Sequence, residues 1–102
     1  MATTKDFHNY VIECLSQTGE VSSRRMMGEY CIYYCGKLIG NICDNTLLFK
    51  ITPTAEKLLA DAEKAYPYEG SKTLMLVVAD FENTALMAEV MEAIYNELPE
   101  KK

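Results

Sequence analysis

Between Arg25 and Thr52 apolar residues recur with a period of two, and two short runs, Cys35-Gly36-Lys37 and Asp44-Asn45, break the pattern. Gly, Asn and Asp tolerate the positive φ that tight hairpin turns demand, so these breaks join three successive strands at residues 30–34, 38–43 and 47–51. Strands connected this tightly form an antiparallel meander. On the third, Leu47, Phe49 and Ile51 share one face while Leu48 and Lys50 share the other. One side of the sheet therefore belongs to a core, and the other is only partly polar.

Helical patterning surrounds the meander. Thr4 caps a first helix whose Phe7, Val11, Cys14 and Leu15 form one apolar stripe, and Gly19 stops it. His8 lies in its first turn without a ligand-type neighbour at metal spacing and reads as an exposed helix residue. Thr52-Pro53 opens a second helix with Leu58, Leu59 and Ala62 as its apolar positions. Residues 65–72, with Pro67 and Gly70, read as a loop, and Thr73 to Ala79 as a central strand covered on both faces. Asn83 caps a last helix striped by Leu86, Val90, Met91, Ile94 and Leu98, which Pro99 ends. This α-β-β-β-α-β-α order predicts an α+β two-layer sandwich, an antiparallel sheet of about five strands with helices packed on one face. Tyr30, Tyr33 and Tyr34 divide between the two faces, so at least one tyrosine belongs to the side the helices leave uncovered.

With 102 residues, 49% apolar and 25% charged, the chain suits a single domain, residues 1–102, with one core. A net charge of −5 argues against direct nucleic-acid binding, because such proteins neutralise phosphates with clustered Lys and Arg. Only Arg24 and Arg25 are adjacent arginines, a pair able to grip a phosphate or carboxylate. No run of ~20 apolar residues marks a membrane span and no signal-peptide pattern opens the chain, so the expected address is the cytoplasm. There Cys14, Cys31, Cys35 and Cys43 are expected as free thiols. Cys31 and Cys35, four apart on a strand, sit roughly 13 Å from each other, too far to share a metal ion. The single histidine leaves His-based catalysis without partners, and Met26, Met27, Met75, Met87 and Met91 read as core filler.

The run Arg25-Met26-Met27-Gly28-Glu29-Tyr30-Cys31-Ile32-Tyr33, followed by Gly36-Lys37 and later by Leu48-Phe49-Lys50, resembles the amino-terminal domain of the TfoX/Sxy family. That family's usual run is Arg-x-Met-Phe-Gly-Gly-Tyr-Gly-(aliphatic)-Tyr, so Gly28, Tyr30, Tyr33 and Gly36 match in order, with Met27 in the slot often held by phenylalanine and Arg25 one place after that of the run's arginine. Glu29 and Cys31 depart from the common glycines, and Leu74 to Asp80 replaces a Tyr-Tyr-x-x-Pro pattern, as in a divergent member. The best-known members regulate natural DNA uptake alongside a transcription activator and carry a second, carboxy-terminal domain. The resemblance implies weight on Arg25, Met27, Gly28 and Tyr30. Physically, Gly28 permits a bulge or close approach at a strand start, and Arg25 has Glu29 or a partner's carboxylate within reach.

The expectation is therefore a non-enzymatic binding and regulatory module, with no cofactor and no metal. Its candidate binding residues are Arg24, Arg25, Met27, Gly28, Tyr30, Tyr33 and Lys50. The expected partner is a protein, a transcription factor or a second copy of the chain among the candidates. Two other readings compete with it. A DNA-associated competence regulator would draw its contacts from Arg24, Arg25, Lys37 and Lys50, and a thiol-dependent enzyme would need a cysteine of lowered pKa.

Overall fold

A computed structural model describes residues 3–26, 29–66 and 73–98. Helix α1 (Lys5–Ser16) leads into four strands, β1 (Val21–Met26), β2 (Glu29–Tyr34), β3 (Lys37–Cys43) and β4 (Thr46–Lys50). Then come α2 (Pro53–Leu58), a two-residue β5 (Lys64–Ala65), β6 (Met75–Val78) and α3 (Thr84–Glu97). All pairings are antiparallel, in the order β1-β2-β3-β4-β6-β5. The fold is α+β as expected, with six strands instead of about five.

The meander forms where the turn residues place it. Cys35 and Gly36 adopt φ of 51° and 85°, and Asp44 and Asn45 adopt 53° and 56°. Two successive left-handed residues match the right-handed twist of the flanking strands and close each hairpin in two residues. The helices start at their predicted caps: Thr4, Thr52 and Asn83 accept from the amides of Phe7, Ala55 and Leu86. β6 is second from an edge and not central, because the short β5 lies outside it.

On the helix-covered face Ile32, Ile42, Leu47, Phe49, Leu76 and Val78 pack against Val11 and Leu15 of α1, Ala55 of α2, and Met87, Val90, Met91 and Ile94 of α3. Each fully buried Leu, Ile or Met side chain contributes on the order of 2 kcal/mol. Met75, Met87 and Met91 are all buried, in line with their reading as filler. The opposite face carries a smaller cluster of Cys43, Leu48 and Met75, with Ala65 and Val77 packed against it.

One irregularity sets the sheet's shape. Ile32 pairs with Gly40 but Tyr33 with Leu38, which leaves Ile39 as the extra residue of a bulge, fully buried. Gly40 follows it and lies so close to β4 that a Cβ would stand 2.1 Å from the Leu48 carbonyl oxygen and 2.8 Å from Phe49 Cδ1. Backbone, unlike the end of a side chain, cannot yield cheaply. Lys37, opening β3, donates from Nζ to the carbonyls of Tyr95 (2.8 Å) and Leu98 (3.3 Å) at the end of α3. The same ammonium lies 4.5 Å from the Tyr95 ring centroid.

Gly40→Ala is therefore expected to lower unfolding free energy by about 3 kcal/mol through overpacking. Urea titration should show a reduced midpoint at unchanged slope. An unaltered midpoint would mean that β3 and β4 are not this close.

Candidate functional site

Strand register divides the motif carried by β1 and β2 between two faces. Tyr30 pairs with Ile42 of the core face, so Tyr30, Ile32 and Tyr34 point toward the helices, and Cys31 and Tyr33 point away. Arg25 lies opposite Tyr30 and shares its side, while Arg24 and Ser22, opposite Cys31 and Tyr33, belong to the other.

The helix-side tyrosines are held by structural contacts. Tyr30 stacks on His8 with centroids 3.8 Å apart, and His8 Nε2 lies 2.7 Å from Ser23 Oγ. His8 is thus half-buried and clamped to the sheet, not the exposed helix residue its sequence context indicates. The missing signal was a contact between residues 8 and 30, which no local pattern records. Tyr34 donates to Glu92 on α3 (3.1 Å) and meets Tyr95 edge-on. Burial first, then this hydrogen bond, push the Tyr34 phenol up.

Glu29 does not serve as the partner of Arg25. Its Oε1 accepts from Thr3 Oγ1 (2.6 Å) and from the backbone of Thr3 and Asp44 (both 3.3 Å). Asn45 Oδ1 accepts from the Thr4 amide (2.9 Å) and completes the clasp. The carboxylate that replaces a family glycine thus ties the segment before α1 to the β3–β4 turn.

On the open side, Ser22, Ser23, Arg24, Tyr33 and Gly36 line a shallow hollow of ≈ 350 Å³ between the β1 edge and the β2–β3 turn. Arg24 is exposed and Tyr33 half-buried. The hollow offers a guanidinium, the Ser22 hydroxyl and a phenol, a donor set suited to a carboxylate or another oxyanion, while the Ser23 hydroxyl is on the helix side with His8. Ser22 belongs to it although β1 is not evident from sequence. Continuing the β2 hairpin backwards by register would have placed that serine opposite Tyr33.

The other candidates lie apart from this hollow. Lys50 is on the same face but three strand spacings away, roughly 14 Å across the sheet. Met27 and Gly28 fall outside the described residues. A second concavity of ≈ 270 Å³ lies at the far end of the sheet, where Leu58, Leu59, Ala62 and Leu86 are joined by Asp61 and Asp80. Among the described residues no three His, Cys, Asp or Glu side chains gather as a metal centre. No helix among them is long and apolar enough to cross a membrane.

All four cysteines are free thiols. Cys43 is buried beside Leu48 and Met75, and its desolvation, reinforced by the Glu29 carboxylate, pushes the thiol up to about 11. Desolvation also raises Cys14. Both shifts run opposite to the lowered pKa of a nucleophilic thiolate.

Together the layers and the hollow define a class, a small α+β domain whose sheet turns one face to its helices and leaves a polar, arginine-bearing hairpin surface on the other. The TfoX N-terminal domain family matches residues 13–98, and the chain belongs to that family. It is 33% identical over 72 residues to an uncharacterized 12.7 kDa protein in the trpE 5′ region of Spirochaeta aurantia, an alignment covering 71% of this chain and 63% of the relative.

In the native protein a thiol reagent at pH 8 should modify the exposed Cys35 first and Cys31 next, with Cys14 and Cys43 reacting only on unfolding. Because folding raises the Cys43 pKa, its contribution to stability is complete below the ordinary thiol value of 9.0 and declines as pH rises toward about 11. Denaturation between those limits should show this decline, and Cys43→Ala should reduce it to the part contributed by Cys14 and Tyr34, which folding also raises. An identical alkaline slope in the variant would place the titrating group elsewhere.

Proposed function

We propose that this chain is a non-enzymatic, cytoplasmic regulatory module that recognises a protein partner through the open side of its β1–β2 hairpin, centred on Arg24 and Tyr33. The observation that carries this reading is the division of labour among its polar residues. Tyr30, Tyr34, Glu29 and Lys37 are each engaged in holding helices or turns to the sheet. Arg24 and Tyr33 instead line a solvent-facing hollow. Arginine and tyrosine are the residue types that most often dominate protein–protein binding energy, since each combines a large apolar body with a polar tip.

Membership of the TfoX N-terminal domain family supports the regulatory part of the reading. The partner in view is a transcription activator or another component of a regulatory complex. A nucleic-acid footprint built from Arg24, Arg25, Lys37 and Lys50 finds less support. Arg25 lies on the opposite side of β1 from Arg24, and the Lys37 ammonium caps α3. The remaining charge is net negative.

The test is chemical crosslinking and affinity capture from cell extract with the wild-type chain and an Arg24→Ala, Tyr33→Ala double variant. Thermal unfolding should first confirm that both are folded, within a few degrees of each other, since neither side chain is in the main core. Loss of a specific partner in the variant supports the reading. Capture of the same proteins by both would move the binding surface away from this hairpin.

A further inference from the structure

We propose that the outer edge of β1 receives an extended acidic segment of the partner, which adds a seventh strand to the sheet and seats two successive carboxylates on Arg24 and Arg25. This deepens the reading above and rests on it. Among the described residues β1 ends the strand order, with β2 as its one neighbour. The Cys35 amide donates to the Glu20 carbonyl at 2.8 Å, which makes Glu20 and Cys35 a hydrogen-bonded pair. Bonded and non-bonded pairs alternate along an antiparallel ladder, and the β1–β2 register is unbroken from Val21↔Tyr34 to Met26↔Glu29. Ser22 and Arg24 therefore bond inward to β2, and Val21, Ser23 and Arg25 aim their N–H and C=O groups outward. Among the described residues none bonds to those outward groups. They form a ready template for an incoming strand.

Charge selects the occupant. Arg24 and Arg25 are exposed and leave β1 on opposite sides, so an extended chain carrying adjacent acids presents one carboxylate to each. In the added ladder Arg24 occupies a non-hydrogen-bonded position, where facing side chains approach most closely. The acid opposite it lies over the hollow of Ser22, Tyr33 and Gly36. A second copy fits poorly. Val21–Met26 contains no Asp or Glu, so pairing β1 with itself about Ser23 gathers four guanidinium groups, and only a register shifted toward the strand's start would set Glu20 against Arg24.

The probe is the peptide Thr-Val-Glu-Glu-Val-Thr with blocked ends, titrated into the isotope-labelled whole chain and compared with its Lys-Lys counterpart. The expected result is perturbation and slowed exchange of the Val21, Ser23 and Arg25 amides by the Glu peptide, weakening as salt is raised. Arg24→Glu with Arg25→Glu should reduce Glu-peptide affinity about tenfold and reverse the preference between the peptides. Arg25→Pro removes the guanidinium and also an outward N–H that the β1–β2 ladder does not use, so it should weaken the Glu peptide further than Arg25→Ala, which removes the charge alone. Equal binding of the two peptides by the wild-type chain, no binding, or perturbations confined to other strands would overturn the proposal. So would a wild-type dimer in which these amides are already protected. If the peptide fails while the Arg24, Tyr33 variant still loses its cellular partner, strand addition is wrong and the binding module stands; failure of both removes both.

Discussion

Two hairpin turns of two residues each hold the structure in register. At Cys35-Gly36 and Asp44-Asn45 the chain takes positive φ at four positions, three of them not glycine. Asn and Asp visit this region at small cost, and cysteine less readily, so the flanking ladders must hold it there. The closure determines which residues of β2, β3 and β4 oppose one another. A slip of one residue would turn Ile32, Ile42, Leu47 and Phe49 out of the core. The three helices can only seal a face that the turns have already chosen.

That choice shapes the surface as well. The bulge at Ile39 buries an additional aliphatic side chain and brings Gly40 against the Leu48 carbonyl, so β3 and β4 approach with no side chain between them at that point. Strand order leaves the first hairpin at the margin of the sheet, away from the small cluster of Cys43, Leu48 and Met75 on the same face. Lys37, at the foot of that hairpin, is drawn to the end of α3 and fixes the two layers together. Arg24 and Tyr33 are thus carried by paired strands while remaining open to solvent, which would limit the ordering cost of the proposed binding there.

Much of this architecture was legible from residue patterns. The meander showed through its period and its Gly, Asn and Asp punctuation, and the helices through Thr4, Thr52 and Asn83, because both signals are local. β1 and β5 were not legible. Val-Ser-Ser-Arg-Arg-Met lacks the alternation of a half-buried strand, since as an edge it buries little, and β5 is two residues long. The candidate residues could be named from sequence but not placed. Arg24, Arg25, Tyr30 and Tyr33 were all recognised, but their separation onto two faces follows from register, and the tasks of His8 and Glu29 come from contacts with distant residues.

The acidic balance of the chain acquires a physical meaning once the basic groups are located. With Lys and Arg at 10 against Asp and Glu at 15, long-range attraction to a polyanion such as DNA is weak. A partner's carboxylate at the β1 edge, as proposed, would be different: it would sit within contact distance of a guanidinium, inside the Debye length of ~8 Å, where the local pair outweighs the distant excess. On the proposed reading such a surface disfavours long polyanions and takes a short acidic segment that also satisfies the outward main-chain groups of Val21, Ser23 and Arg25. Two weak requirements, extended conformation and adjacent acids, must then be met together, and their coincidence confers a selectivity that neither supplies alone.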